Sequence, residues 1–283
     1  MILLLGIAYA IAEECVILQT SLTPQVFPPA FTANFGWAWG VQWIYLTALV
    51  WYESVFAIVL PIYLTEILFP KQRDEPWLSQ RGLVIAAVIF LLSSIGVWRL
   101  WTTVGVQHYG SSTYHVPPAF IGIALVVIAV LIGTVMLFFK QPLHPVQKSN
   151  RRAWSPWLVG LMAFGHGLAW FILIVLAYMP AVSLPGVSPL VPIGIGLAWV
   201  GLGLIVVSAL SNTPDWQDRH RLALIFGASL ASMLGGVLVI LSASTIDQIG
   251  KAAFDLIAIV LFILLVRRLR QPIHTPTRPI GGS

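Results

Sequence analysis

The chain has 283 residues, of which 58% are hydrophobic and 9% are charged. Soluble domains carry about a quarter charged residues, so this composition excludes a protein that faces water on all sides. The net charge of +5 would suit nucleic-acid binding in a soluble protein. Here the basic residues lie in short segments between apolar runs, so we expect no nucleic-acid partner. Cys15 is the only cysteine, which excludes an intrachain disulfide and a cysteine-based metal site.

Eight stretches are long and apolar enough to cross a bilayer, which requires about 20 mainly apolar residues. They are predicted at 2–19, 40–69, 82–104, 119–140, 157–178, 191–210, 222–244 and 252–269. They predict an all-α, polytopic integral membrane protein: a bundle of eight transmembrane helices in one domain, 1–270, surrounded by the lipid bilayer. The remaining segment, 271–283, is predicted to be a disordered cytoplasmic tail.

Basic residues alternate between the connecting segments. They follow the second, fourth, sixth and eighth stretches, for example at Lys71, Arg152, Arg219 and Arg270, and they are missing from the connections after the first, third and fifth stretches. By the positive-inside rule both termini are predicted to be cytoplasmic in a cell membrane. An odd number of crossings would break this alternation, which favours eight.

Two adjacent carboxylates interrupt the first apolar stretch, at Glu13 and Glu14. At 1.5 Å per residue they lie about 18–20 Å from its start, and Glu53 lies about 24 Å from the inner end of the second stretch. Arg99 lies about 25 Å along the third stretch, and Asp255 about 21 Å from the inner end of the eighth. All five are therefore predicted to lie in one layer in the outer half of the membrane.

The free-energy cost of placing ionised side chains in the bilayer makes this layer a candidate site. An ionised side chain at the bilayer centre costs about 2.5–3.5 kcal/mol, so intramembrane carboxylates should face protein or a water-filled cavity, or be protonated. Arg99 is the natural counter-ion for Glu13, Glu14 or Glu53. The alternative is that the charges are structural: Arg99 would turn toward the headgroups, and Asp255 would pair with Lys251, one helical turn away.

The second stretch would form a helix of about 45 Å, longer than the hydrocarbon core of about 30 Å, and we expect Pro61 to kink it. His166 is the only histidine inside a predicted span, and it stands between Gly165 and Gly167. Those glycines would let a ligand or another helix approach, so His166 is a further binding candidate, with a packed structural role as the alternative. In the seventh stretch Gly227 begins a run of small residues every four positions, which predicts close helix packing.

Glu13 and Glu14 resemble the glutamate pair of the CAAX-protease and bacteriocin-processing family of intramembrane enzymes. The resemblance covers these two residues. The arginine that follows the pair in that family is absent, and His166 is followed four residues later by Trp170 rather than by Asn or Asp. The resemblance implies an intramembrane hydrolase in which a glutamate activates water, with or without a metal ion.

Three functions remain open from the sequence. The first is transport or binding of a proton, a cation or a small cationic solute through the acidic layer. The second is the intramembrane hydrolase, and the third is an accessory or scaffolding membrane subunit. No cofactor is evident, because the chain has no nucleotide-binding loop, no Cys/His metal pattern and no paired haem histidines. The oligomeric state is not indicated, and an ion or small molecule is the expected ligand.

Overall fold

The computed structural model describes residues 1–23, 36–73, 75–105, 115–138, 152–178, 187–240 and 244–270. The predicted tail, 271–283, lies outside the described residues. We number the helices in chain order, counting a π-helical stretch with the α-helix that it continues. They are α1, Ile2–Ile11 with Ala12–Ile17; α2, Trp43–Leu68; α3, Gln80–Leu100 with Trp101–Gly105; α4, Pro118–Phe138; α5, Pro156–Tyr178; α6, Leu190–Ser211; α7, Asp218–Ile240; and α8, Thr245–Arg270.

Among the described residues, seven helices, α2 to α8, are long and apolar enough to cross a membrane. The chain is therefore an all-α, multi-pass membrane protein whose apolar helices suit contact with lipid. Helix boundaries follow the sequence closely; α6, for example, was predicted at 191–210 and spans Leu190–Ser211. The first predicted span ends early, at Ile17. Eight crossings and cytoplasmic termini thus stay predictions.

Three stretches depart from α-helical geometry: Ala12–Ile17 in α1, Glu53–Val59 in α2 and Trp101–Gly105 in α3. All three are π-helical, with a wider turn than the α-helix. The stretch in α2 directly precedes Leu60–Leu68, where Pro61 occupies the first turn. Because proline has no backbone N–H and its ring crowds the carbonyl four residues earlier, the regular α-helical ladder cannot continue through it. The π-helical stretch lies where that ladder is interrupted.

A small antiparallel hairpin precedes α2. Its strands are β1, Trp37–Ala38, and β2, Val41–Gln42. The turn residues Trp39 and Gly40 both have positive φ, 51° and 76°, as a type I′ turn requires. The side-chain oxygen of Gln42 then accepts from the backbone N–H of Ile44 at 3.2 Å and caps α2.

Contacts divide the chain into two compact units. The first unit is Met1–Ala153 with Ala169–Pro214, and the second is Trp154–Leu168 with Asp215–Ser283. The prediction of a single domain over 1–270 is not tested by this division. Each unit has its own close helix contacts.

In the first unit, α1 packs against α2 and α4. Cys15 lies in an apolar cluster with Leu22, Val41 and Ala124 at the end of α1. A second cluster joins Ala48 to Trp170 and Val200. Cys15 is 6% exposed, as expected for a packed thiol.

In the second unit, small residues let α7 approach the first part of α5. A Cβ atom on Gly227 would meet the carbonyl oxygen of Gly160, and one on Gly167 would lie 2.8 Å from the Cβ of Ala231. Neither contact leaves room for a larger side chain. The predicted packing role of the small residues in this helix is confirmed at Gly227 and Ala231.

Candidate functional site

Glu13 and Glu14 lie in the π-helical stretch of α1 rather than in a regular α-helix. The backbone N–H of Leu18 donates to the carbonyl oxygen of Glu13 at 2.8 Å, a spacing of five residues. One extra residue per turn changes the direction of the side chains that follow. Such π-helical turns are rare in proteins overall, and those that occur are often found at functional sites.

Glu14 is the more deeply buried of the two, with 2% of its surface exposed. Its Oε2 accepts hydrogen bonds from the Thr20 hydroxyl and, at 3.3 Å, from the Ser21 hydroxyl. These donors reach back to Glu14 because Gln19 adopts a left-handed conformation, φ 58° and ψ 20°, which reverses the chain into the short 3₁₀ helix Thr20–Leu22. Each hydrogen bond to a charged acceptor is worth about 1.5–3 kcal/mol, so the two hydroxyls offset part of the cost of burial.

Glu13 has different surroundings. The Tyr9 hydroxyl, one turn earlier on α1, interacts electrostatically with its carboxylate. Its Oε2 is buried and has no hydrogen-bond partner among the residues that the structure describes. Glu13 is thus a partly buried carboxylate with an unused acceptor.

Glu53 brings a third carboxylate from the start of the π-helical stretch in α2. It is half-buried and interacts electrostatically with Glu13, and Glu14 interacts with both. We call Glu13, Glu14 and Glu53 the acidic cluster. Like charges this close repel one another in a medium of low dielectric constant, so the cluster favours uptake of positive charge.

Close packing of α1 on α2 brings the acidic cluster together. At the contact, Ser54 is fully buried, and a Cβ atom on Gly6 would lie 3.0 Å from the Ser54 carbonyl oxygen and 3.2 Å from its Cα. Glycine inside a helix costs about 1 kcal/mol relative to alanine. Here it removes the side chain that would otherwise hold the two helices apart.

Arg99 does not join the acidic cluster. It is exposed, and the salt bridges among the described residues do not include it. The prediction that Arg99 pairs with Glu13, Glu14 or Glu53 is therefore wrong for the described part of the chain. The physical reason is the direction of the side chain. α3 contacts α1 through the rings of Phe90 and Tyr9, 6.4 Å apart, and along Ala12–Ile17. Arg99 lies nine residues after Phe90, which is two and a half helical turns, so it points to the opposite side of α3.

Asp255 belongs to the second unit and forms a salt bridge with Lys251. The Lys251 Nζ also donates to the carbonyl oxygen of Met233 on α7 at 3.1 Å. Gly236 lies beside this lysine, since a Cβ atom there would be 2.8 Å from the lysine Cε. The structural alternative for Asp255, a pair with Lys251, is confirmed, and the pair joins α8 to α7.

His166 also belongs to the second unit, in the first part of α5, and is half-buried. Of its two glycine neighbours, Gly167 packs closely against Ala231, whereas Gly165 has no atom within 4 Å of a built Cβ. Among the described residues, no group of three or more His, Cys, Asp or Glu side chains is arranged to hold a metal ion. His166 stays a binding candidate from sequence alone.

Sequence reasoning did not find the partners of the acidic cluster, which are Tyr9, Thr20, Ser21 and Gly6. The hydroxyl-rich segment "QTSLT" after the first apolar run was the available signal. In a continuous helix Thr20 and Ser21 would lie about 9–10 Å along the axis from Glu14, so their contact with it depends on the chain reversal at Gln19. No protein family, curated protein or solved structure matches the chain.

Proposed function

We propose that the protein binds a proton, a cation or a small cationic solute at Glu13, Glu14 and Glu53, and that this binding serves transport across the membrane. The acidic cluster supports the proposal because three carboxylates from two helices meet where none of them forms a salt bridge with another described residue. A bound positive charge would relieve their mutual repulsion.

The observation that carries the proposal is the buried Oε2 of Glu13, which has no hydrogen-bond partner among the described residues. Leaving a buried polar group unsatisfied costs about 1–3 kcal/mol, and more when the group is charged. A proton or a cation would supply the missing partner. The hydroxyls around Glu14 would add neutral oxygens to the same site.

We further infer that α1 crosses the membrane, which makes eight crossings with both termini in the cytoplasm of a cell. The alternation of basic segments supports an even number of crossings. The helical part of α1, Ile2–Ile17, is about 24 Å long, and a bilayer accommodates such a short span by local thinning. In this arrangement Glu13 and Glu14 would be reached from the outside.

The test uses the purified protein in detergent and in liposomes, with Na⁺, K⁺ and tetramethylammonium as probes for cations and an internal pH dye as the probe for protons. Binding is measured by calorimetry and by the rise in unfolding temperature. A ligand at one hundred times its Kd stabilises the folded state by about 2.7 kcal/mol, so binding should be visible in thermal unfolding. Glu14→Gln and Glu53→Gln are expected to weaken binding or proton uptake at least tenfold.

Glu66→Gln is the matched control, because Glu66 lies on α2 as Glu53 does, in the final α-helical part Leu60–Leu68. This variant should bind and transport like the unmodified protein. The proposal fails if Glu14→Gln and Glu53→Gln raise the unfolding temperature yet change no binding or uptake signal. That result would mean that the glutamates are structural.

A further inference from the structure

A small cavity lies between α2, α5 and α6 in the first unit. Thr47 lines it from α2, Trp170 and Leu173 line it from α5, and Ile193 and Gly196 line it from α6. Its volume is about 30 Å³, room for about two groups of the size of a water molecule, and it is partly open. None of the described residues that line it is charged, so the cavity suits a neutral ligand.

Trp170 brings an unused hydrogen-bond donor to this cavity. Its side chain is 4% exposed, and its Nε1–H is buried and has no acceptor among the described residues. The ring is fixed in place, because it packs with Ala48 and Val200 and because a Cβ atom on Gly196 would lie 3.4 Å from its Cζ3. A buried Trp N–H usually finds a partner, and leaving it without one costs free energy. An oxygen atom in the cavity would supply that partner.

The cavity lies inside the hydrocarbon core, close to one membrane boundary. Helices α2 and α6 have 26 and 22 residues and are therefore about 39 Å and 33 Å long. If each is centred on a hydrocarbon core of about 30 Å, Thr47 and Pro192 lie about 2 Å inside its boundary and Gly196 about 8 Å inside. Lipophilic molecules dissolve at this depth, whereas water is scarce there.

A carbonyl group fits this cavity better than a water molecule does. A buried water typically makes about three hydrogen bonds. The side chains that line the cavity offer two polar groups, the indole N–H of Trp170 and the hydroxyl of Thr47. A carbonyl oxygen only accepts hydrogen bonds, and its two lone pairs match these two donors. The carbon atoms bonded to the carbonyl would contact the apolar lining.

We propose that this cavity binds a neutral, lipophilic molecule through a carbonyl oxygen that accepts a hydrogen bond from the Trp170 Nε1–H. The carbonyl group fills the cavity, and the apolar remainder of the molecule extends through its open side. The acyl ester of a phospholipid and a free ketone or quinone present the same chemistry to this donor. The site shares no residue with the acidic cluster and goes beyond the proposed function.

The test uses the full chain in nanodiscs of ether-linked phosphatidylcholine, a lipid without a carbonyl group. Two probes of matched length, dihexyl ketone and tridecane, are titrated, and binding is followed by the NMR signal of the Thr47 methyl group. The ketone should bind about two- to tenfold more tightly than the alkane, as one neutral hydrogen bond contributes, and should shift the Trp170 indole N–H signal downfield. In Trp170→Phe the two probes should bind with similar affinity. Trp157→Phe is the matched control on α5, at a side chain that is 76% exposed, and it should keep the preference.

A second comparison identifies the source of the carbonyl group. In nanodiscs of ester-linked phosphatidylcholine with the same chains, a downfield Trp170 N–H signal without added ketone would identify the ligand as a phospholipid. A signal that moves only when the ketone is added would identify it as a free molecule.

Equal affinities of the unmodified protein for ketone and alkane would overturn the proposal, whether or not Trp170→Phe folds. So would a preference for the ketone that Trp170→Phe retains. A Trp170 N–H signal that exchanges with water as fast as that of Trp157 would show that water fills the cavity, and this result also overturns the proposal.

Discussion

Replacing Gly6 by leucine is expected to separate α1 from α2 and to open the acidic cluster without changing any carboxylate. A Cβ atom at this position would lie 3.0 Å from the carbonyl oxygen of Ser54 and 3.2 Å from its Cα. Both neighbours are backbone atoms, so a side-chain rotation cannot relieve the contact. Overpacking of this kind costs about 1–3 kcal/mol.

A second effect acts in the opposite direction. Leucine is a better helix former than glycine, by up to about 1 kcal/mol, so part of the steric cost is offset. Gly122→Leu measures this gain alone, because a Cβ atom on Gly122 in α4 would have nothing within 4 Å. Since the helix-propensity gain is common to both variants, Gly6→Leu should be less stable than Gly122→Leu by about the steric cost, 1–3 kcal/mol.

The assay is unfolding of both purified variants in mild detergent, with helicity followed by circular dichroism. Binding of the cation probes is measured on the same samples. Gly6→Leu should unfold earlier and bind more weakly, whereas Gly122→Leu should match the unmodified protein or exceed its stability slightly. Equal stability of the two variants, with unchanged binding, would refute the contact between α1 and α2 that assembles the acidic cluster.

Two further predictions concern the second unit and the topology. Lys251→Met alone should destabilise the protein by about 1.5–3 kcal/mol in detergent unfolding, because it leaves the Asp255 carboxylate without its partner. The double variant with Asp255→Leu should be less destabilised than Lys251→Met alone. A double variant as unstable as the sum of both single variants would contradict this prediction. Ser188→Cys should react with an impermeant thiol reagent outside intact cells, Ser149→Cys should not, and Cys15 should stay unlabelled in both because it is 6% exposed. The reverse labelling would overturn the predicted orientation.

The sequence by itself predicted the long helices well. A chain in lipid must satisfy its backbone hydrogen bonds within the segment, so a sufficiently long apolar run becomes a helix. The run at 119–140, for example, corresponds to α4, Pro118–Phe138. The pair of Lys251 with Asp255 could also be anticipated, because residues four apart on one helix are neighbours whatever surrounds them.

The depth of a residue along a helix follows from its sequence position, because each residue rises by a fixed distance. The residues of other helices that lie beside it do not follow from its sequence position. Arg99 was predicted to lie in the same layer as Glu13 and Glu53, yet it is exposed, although α3 contacts α1 at Phe90 and along Ala12–Ile17. Which side chains meet depends on the rotation and spacing of each helix, and these are decided by packing at positions such as Gly6.

The tertiary structure alone decided how the acidic cluster is built. The π-helical stretches around Glu13 and Glu53 and the left-handed Gln19 leave no periodic signature in the sequence. A π-helical turn loses regular α-helical hydrogen bonds, so it persists only where neighbouring helices support it. The hydroxyls of Thr20 and Ser21 reach Glu14 only because the chain reverses at Gln19. The sequence therefore determined that carboxylates interrupt apolar helices, and packing determined that three of them meet.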